Sequence, residues 1–129
     1  VMPSVAPNEI LARYIVFSGW IRKNNNTVKP DAFLPSSNLM ISVTRHTGLT
    51  NDDIWRIGRD VARAVRNRNL YGRADVETAH VLAQKLNVIT EPTPGNPNHA
   101  NITDWPSEKH ARKMCALEIA NNSRFIANL

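Results

Sequence analysis

The chain has 129 residues, of which 42% are hydrophobic and 21% charged, a composition typical of one globular domain that excludes a largely disordered chain. Its 16 lysines and arginines outnumber 11 acidic residues, and the resulting charge of +5 favours an anionic partner such as nucleic acid, a nucleotide or an acidic protein surface. A single cysteine excludes a disulfide framework, and no stretch is apolar for the roughly 18 residues that a membrane helix needs. We therefore expect one cytoplasmic domain over 1–129, with 1–8 as a loose lead-in and no membrane partner.

The first third of the chain predicts two strands. The run from Ile10 to Trp20 is rich in β-branched and aromatic residues, which is typical of a buried strand. Asparagines and prolines make 21–37 loop-like, and within it Asp31 to Leu34 is expected to pair briefly as an edge strand. From Leu39 to Arg45, apolar residues alternate with serine and threonine, which indicates a half-buried strand.

The clearest helix follows. Thr50 and Asp53 form a near-capping box at its start, and the helix is expected to end at 67–69. Its apolar residues recur at helical spacing, and they are Ile54, Ile57, Gly58, Val61, Ala62 and Val65.

The second half predicts three short strands and two helices. The strands are expected near 71–76, 88–90 and 99–103, with a rigid loop at 91–98 that holds three prolines. One helix is predicted from the spacing of Ala79, Leu82, Ala83 and Leu86. The last helix is expected to begin at Ser107 as N-cap, to carry the stripe Ala111, Met114, Cys115 and Ile119, and to include Phe125 and Ile126. These elements predict a small single-domain α+β fold with a short, mostly antiparallel sheet and about three helices.

An arginine stripe is the first candidate site. Arg56, Arg59, Arg63 and Arg66 are three, four and three residues apart, so on a helix they lie within roughly a quarter-turn opposite the apolar face. Guanidinium groups bind phosphate with fixed bidentate geometry, and the adjacent Trp55 offers a stacking surface. The alternative is a solvated helix face whose charge is partly neutralised by Asp52 and Asp60.

A second candidate set consists of polar residues near predicted strand ends, namely Arg45 with His46, Arg73, and His99 with Asn101. His99 is a candidate general acid or base, with Arg45 or Arg73 as the clamp for an anionic substrate. If they converge, these residues predict a small enzyme acting on a phosphorylated or nucleotide-like substrate. The alternative is that both arginines are ordinary charges on the sheet and that His99 orders the proline-rich loop.

Neither a metal site nor a cofactor is expected. The four histidines are scattered without metal-ligand spacing, and the five glycines form no nucleotide-binding loop. Cys115 lies in a predicted helix between Met114 and Ala116, where a thiol packs as a small hydrophobic group.

Four short stretches carry a resemblance. They are VKPDAFLP (Val28 to Pro35), ISVTR (Ile41 to Arg45), LYGRADV (Leu70 to Val76) and NHANITDWP (Asn98 to Pro106). Together they resemble a group of small uncharacterised bacterial proteins. The resemblance implies a bacterial, cytoplasmic origin and a compact stand-alone domain, and it carries over no catalytic residue.

The leading hypothesis is a basic binding module that presents the arginine stripe to a phosphate-bearing or acidic partner. The small enzyme is the first alternative, so whether the protein is an enzyme stays open. A second alternative is a structural or antitoxin-like subunit, in which the last helix docks on another chain through Phe125 and Ile126.

Overall fold

The computed structural model describes residues 5–65 and 69–128, and within these ranges it contains eight strands and three α-helices. The strands are β1 (Ile10–Ile15), β2 (Ile21–Arg22), β3 (Thr27–Val28), β4 (Ile41–Arg45), β5 (Gly72–Glu77), β6 (Asn87–Thr90), β7 (His99–Thr103) and β8 (Arg124–Ala127). The helices are α1 (Asn51–Ala64), α2 (Thr78–Leu82) and α3 (Lys109–Asn121), and there are short 3-10 helices at Ser18–Trp20 and Pro30–Phe33.

Six strands form one antiparallel sheet in the order β6-β7-β4-β1-β5-β8, while β2 and β3 make a separate hairpin. Strand β1 is therefore central although it comes first in the chain. The prediction of a small α+β domain with an antiparallel sheet and three helices is confirmed.

Strand alternation divides the core between the two faces of the sheet. Leu11 and Ile15 of β1 point into the larger core, which α3 and the second 3-10 helix cover. Ala12 and Tyr14 point to the opposite face and pack beneath α1. The side chains that meet them there are Ile54 and Ile57, at the helical spacing that the sequence indicates.

The beginning of α1 has the predicted capping box. Thr50 accepts a hydrogen bond from the backbone of Asp53 through its hydroxyl, and the Asp53 carboxylate accepts one from the Thr50 backbone. These contacts satisfy backbone donors that the first helical turn leaves free. The predicted end at 67–69 lies partly outside the described residues, since the described helix ends at Ala64.

The expected edge strand at Asp31 to Leu34 is wrong, because Pro30–Phe33 forms a 3-10 helix. Proline begins the turn readily, since its fixed φ suits a helix start and it has no N–H to leave unpaired. The turn buries Phe33 completely in the larger core. Burial of this aromatic ring stabilises the turn more than an edge strand with one exposed face would.

Helix boundaries in the second half also differ from the prediction. The helix at 78–86 stops at Leu82, because Lys85 adopts a left-handed conformation with φ of 63° that no helix continues through. The cap of the last helix is Glu108 rather than Ser107, since the Glu108 carboxylate accepts from the backbones of His110 and Ala111.

The predicted membership of Phe125 and Ile126 in the last helix is wrong. Both residues belong to β8, where Phe125 pairs with Ala74 and Ile126 with Arg73. Phe125 packs against the larger core, so the strand closes one edge of the sheet. A docking surface on the last helix made of these two residues therefore does not exist.

Candidate functional site

The sheet register determines which polar side chains share a face. Arg73 pairs with Tyr14 and Asp75 with Ala12, so these two charged residues of β5 lie on the face that α1 covers. On the neighbouring strand β8, Arg124 pairs with Asp75. Directly opposed residues point to the same side of a sheet, so Arg124 joins Arg73 and Asp75 on this face.

Arg73 is the most constrained of these residues, with 6% of its side chain exposed. Its Nε donates to Oδ2 of Asp75 at 3.2 Å, and its Nη2 donates to Oδ1 of Asn51 at 2.9 Å. Its Cζ lies 4.6 Å from the centre of the Trp55 ring. Its Nη1 is buried and has no hydrogen-bond partner among the described residues. A buried donor without an acceptor is energetically unfavourable, so this guanidinium lacks one of the hydrogen bonds that it can make.

Asp75 also contacts a histidine. Nε2 of His46 lies 3.1 Å from Oδ1 of Asp75, and both side chains are mostly buried. A carboxylate on one ring nitrogen fixes the orientation of an imidazole. The arrangement is therefore chemically able to position a histidine for proton transfer or for contact with an anion.

A groove of about 390 Å³ opens beside these residues. The polar side chains along it are His46, Arg73, Asp75, Glu77, His80, Asn122 and Arg124. Ile126 lines it as well and is shared with a second depression, of about 330 Å³, beside Trp55 and Arg59 of α1. We call the two together the α1–β8 groove.

The predicted arginine stripe has mixed surroundings. Arg56 lies 3.8 Å from Asp53 and Arg63 lies 3.6 Å from Asp60, and in both pairs the side chains are exposed. Contacts this long between solvated groups contribute little and leave the guanidinium able to bind elsewhere. Arg59 borders the α1–β8 groove next to Trp55. Arg66, the fourth member of the stripe, lies outside the described residues.

The residues of the predicted enzyme site are not brought together. Arg45 pairs with Leu11 on the opposite face of the sheet and forms an ion pair of 2.8 Å with Glu9. His99 is on the same face as Asp75 but three strands away, which at the spacing of neighbouring strands is roughly 14 Å. Nδ1 of His99 donates to the Glu91 carbonyl at 2.7 Å, across the proline-rich loop.

His46 belongs to the predicted set of polar residues near strand ends, whereas Asp75 and Arg124 were not predicted as site residues. Only strand pairing shows that His46 and Asp75 meet. The sequence signal for this site was the alternation along GRADVE, in which the charged Arg73 and Asp75 alternate with the apolar Ala74 and Val76. A charged pair on one face of a buried strand indicates a polar site there.

The described residues contain no group of three side chains able to hold a metal ion. Burial raises the pKa of the Cys115 thiol, which disfavours the reactive thiolate. In the described ranges, none of the helices has the length and apolar character required to cross a bilayer.

The chain matches no protein-family model, no curated protein and no solved structure. What the protein does must therefore be inferred from its own geometry.

Proposed function

We propose that the protein is a binding module for a phosphate-bearing partner, nucleic acid or nucleotide, and that the partner lies in the α1–β8 groove. The observation that carries this proposal is the buried guanidinium of Arg73. Asp75, Asn51 and Trp55 fix its position, and its Nη1 still lacks an acceptor. A phosphate group offers several strong acceptor oxygens to such a preorganised donor.

Two further arginines along the groove support an anionic over a neutral ligand, although the carboxylates Glu77 and Asp52 line it as well. Arg124 lines the part beside Arg73, and Asp75 already contacts both Arg73 and His46. At the other end, Arg59 stands beside Trp55, whose ring is half-buried. A phosphate backbone running along the groove would meet guanidinium groups at both ends, with the indole available for stacking.

The proposal implies weak sequence preference and strong salt dependence. Backbone contacts position a protein on nucleic acid without reading its bases. Each phosphate neutralised by an arginine releases counterions, so the affinity falls as salt is raised.

The test is a fluorescence-anisotropy titration with a labelled oligouridylate at low and moderate salt. Arg59→Gln and Arg124→Gln each remove one exposed groove cation, and each is expected to weaken binding about tenfold, the cost of one charge-assisted hydrogen bond. Arg63→Gln is the matched control, because Arg63 is on the same helix but does not line the groove.

Two results would reject the groove as the binding site. One is unchanged affinity in both groove variants. The other is an equal loss of affinity in Arg63→Gln, which would indicate that the whole arginine stripe, rather than the groove, is the binding surface. Binding of polyglutamate without binding of oligouridylate would instead indicate an acidic protein partner.

The His46–Asp75 pair supports a second candidate function, a small enzyme acting on a phosphorylated or nucleotide-like substrate. In this alternative His46, rather than His99, is the acid or base and Arg73 holds the phosphate. His46→Gln is then expected to abolish turnover of a phosphate ester while oligouridylate binding is retained. Equal turnover in the His46→Gln variant and the native protein would eliminate this alternative.

A further inference from the structure

The two central strands of the sheet separate along part of their length. Although β1 runs to Ile15 and β4 begins at Ile41, they pair only where Leu11 meets Arg45 and Ala12 meets Thr44. A pocket of about 230 Å³ lies where they part. Because the sheet is open there, side chains from both of its faces line this pocket, among them Arg13 from one face and His99 from the other.

Arg13 lies in the gap between the strands. Its Nε donates to the Ala32 carbonyl at 2.8 Å, and its Nη1 donates to the Ser42 carbonyl at 3.1 Å. Its Cζ is 5.2 Å from the centre of the Trp20 ring. Nη2 makes no hydrogen bond within the part of the chain that the structure describes.

This guanidinium has no counter-charge in the described ranges, where no carboxylate lies within 4.0 Å of it. Desolvation is the sole cause that lowers the pKa of Arg13 to about 10, with no compensating carboxylate. Arg13 is half-buried, and a cation partly removed from water is normally paired with an anion, because neutral carbonyls replace only part of its hydration. Arg73 in the α1–β8 groove, by contrast, is paired with Asp75.

The rest of the pocket is mostly apolar. Its walls are formed by Val16, Phe17, Trp20, Val43, Val61 and Val65. The polar residues that line it besides Arg13 are Tyr14, Ser42, Thr44, Asn96 and His99, and His99 is the most informative of them. Since its Nδ1 donates to the Glu91 carbonyl, its Nε2 carries the lone pair when the ring is neutral and can accept from a ligand hydroxyl or N–H.

We propose that this pocket binds a small organic anion consisting of a carboxylate or phosphate group on an apolar ring. The anionic group of the ligand binds the outer edge of the Arg13 guanidinium, through Nη1 and Nη2. The ring of the ligand packs between Trp20 on one side and Val61 and Val65 on the other. The volume is below that of pockets for drug-sized ligands, so the ligand is limited to one or two rings. The site is separate from the α1–β8 groove and does not depend on the function proposed for that groove.

The test uses benzoate, phenyl phosphate and neutral benzyl alcohol as probes, followed by backbone-amide NMR titration of the native protein. Both anions are expected to shift the resonances of residues around the gap, such as Ser42 and Val61, and to bind at least about tenfold more tightly than benzyl alcohol. The ratio of the affinities for benzoate and phenyl phosphate then distinguishes a carboxylate ligand from a phosphate ligand.

Two variants test separately the contribution of the Arg13 charge and that of the apolar walls of the pocket. Arg13→Gln retains an amide donor but removes the charge, and it is expected to remove the preference for the anions over benzyl alcohol. Val61→Phe fills the pocket and is expected to weaken the binding of all three probes. Arg22→Gln, in the β2–β3 hairpin, is the matched control and is expected to change none of the affinities.

Thermal unfolding without ligand is a second measurement that remains informative if a variant folds poorly. Arg13→Gln loses the hydrogen bonds to the Ala32 and Ser42 carbonyls and is expected to lower the Tm of the free protein, while the Tm gain from added benzoate or phenyl phosphate disappears. The proposal is overturned if neither anion binds more tightly than benzyl alcohol, or if Arg13→Gln binds the anions as the native protein does.

Discussion

At the scale of single residues, Tyr14 joins the sheet to α1. Its hydroxyl donates to the Ile54 carbonyl at 2.6 Å, and the side chain is buried. Burial raises its pKa from 10.0 to about 12. The neutral phenol is therefore the form that the folded protein favours.

Tyr14→Phe is expected to lower the free energy of unfolding by about 1 kcal/mol near neutral pH, the net contribution of one such hydrogen bond. The raised pKa adds a pH dependence, because stability from neutral Tyr14 is complete below pH 10 and is lost as the pH rises toward 12. Urea denaturation between pH 8 and the alkaline limit checks both effects. The alkaline loss should be smaller in the variant, and equal losses would contradict the assignment.

Asn96 is a second residue whose role is visible only in three dimensions. Its Nδ2 donates to the buried Thr44 hydroxyl at 3.0 Å, and its Oδ1 accepts from the Asn98 backbone, so it fastens the proline-rich loop to the sheet. Asn96→Ala is expected to cost about 1–3 kcal/mol, since buried partners lose their hydrogen bonds. Chemical denaturation measures this, with exposed Thr93→Ala as the control that should change stability much less.

At the scale of elements, the docking of α1 depends on a glycine. A Cβ at Gly58 would lie 2.5 Å from Cε1 of Tyr14, so the helix approaches the sheet more closely than alanine allows. Gly58→Ala is expected to destabilise the protein by about 1–3 kcal/mol through overpacking, despite the better helix propensity of alanine. In Gly19→Ala the new Cβ meets nothing within 4 Å, and calorimetry should show little change.

The helix caps predict a dependence on acid. Backbone N–H donors hold the pKa of Asp53 below its ordinary 3.8 and that of Glu108 below its ordinary 4.5. A depressed pKa in the folded state stabilises the protein above the ordinary value, and this contribution is lost as the pH falls through the folded-state value. The stability difference between the native protein and Glu108→Gln should therefore be larger at pH 7 than at pH 3. A difference independent of pH would contradict this assignment.

The helices and strands were predicted well where the residues that specify them are close together in the sequence. The capping box and apolar spacing of α1 specify a helix in the sequence itself, and strands β4 and β7 follow from alternation over a few residues. The prediction was wrong at Phe33 and Phe125, because each adopts the backbone that buries its ring in the larger core. Which core is available to a ring is determined by elements distant in the chain.

At the scale of the whole molecule, β8 completes the sheet beside β5. Phe125 is half-buried against the larger core. A Cβ added at Gly72 would lie 2.6 Å from the Phe125 ring, so the ring packs directly against the glycine backbone. Phe125→Ala is expected to cost about 2 kcal/mol, less than for a fully buried ring. Urea titration checks this loss, and Arg124→Ala on the same strand should cost much less. Equal losses would mean that strand pairing, rather than the ring, holds β8.

The candidate sites depend on tertiary structure more than the fold does. Arg59, Trp55 and Arg73 were identified from residue type, but the partners of Arg73 were not. Asp75 lies two residues further along the same strand, whereas Asn51 reaches Arg73 only through the docking of α1. Strand register separates His99 from Arg73 and puts Arg45 on the other face. Arg13 gave no sequence signal, since its importance arises from a gap between strands β1 and β4, which lie far apart in the chain.

The sequence by itself determined the fold class, the position of α1 and the excess of positive charge, because composition, capping and periodicity act over a few residues. Only the tertiary structure decided which charges are paired and which are not. Whether a carboxylate lies beside a guanidinium depends on which strands are neighbours in the sheet. Strand order is in turn determined by packing of the whole core. The pairing of Arg73 with Asp75 arises within β5 itself, whereas the unpaired charge of Arg13 is a consequence of that order.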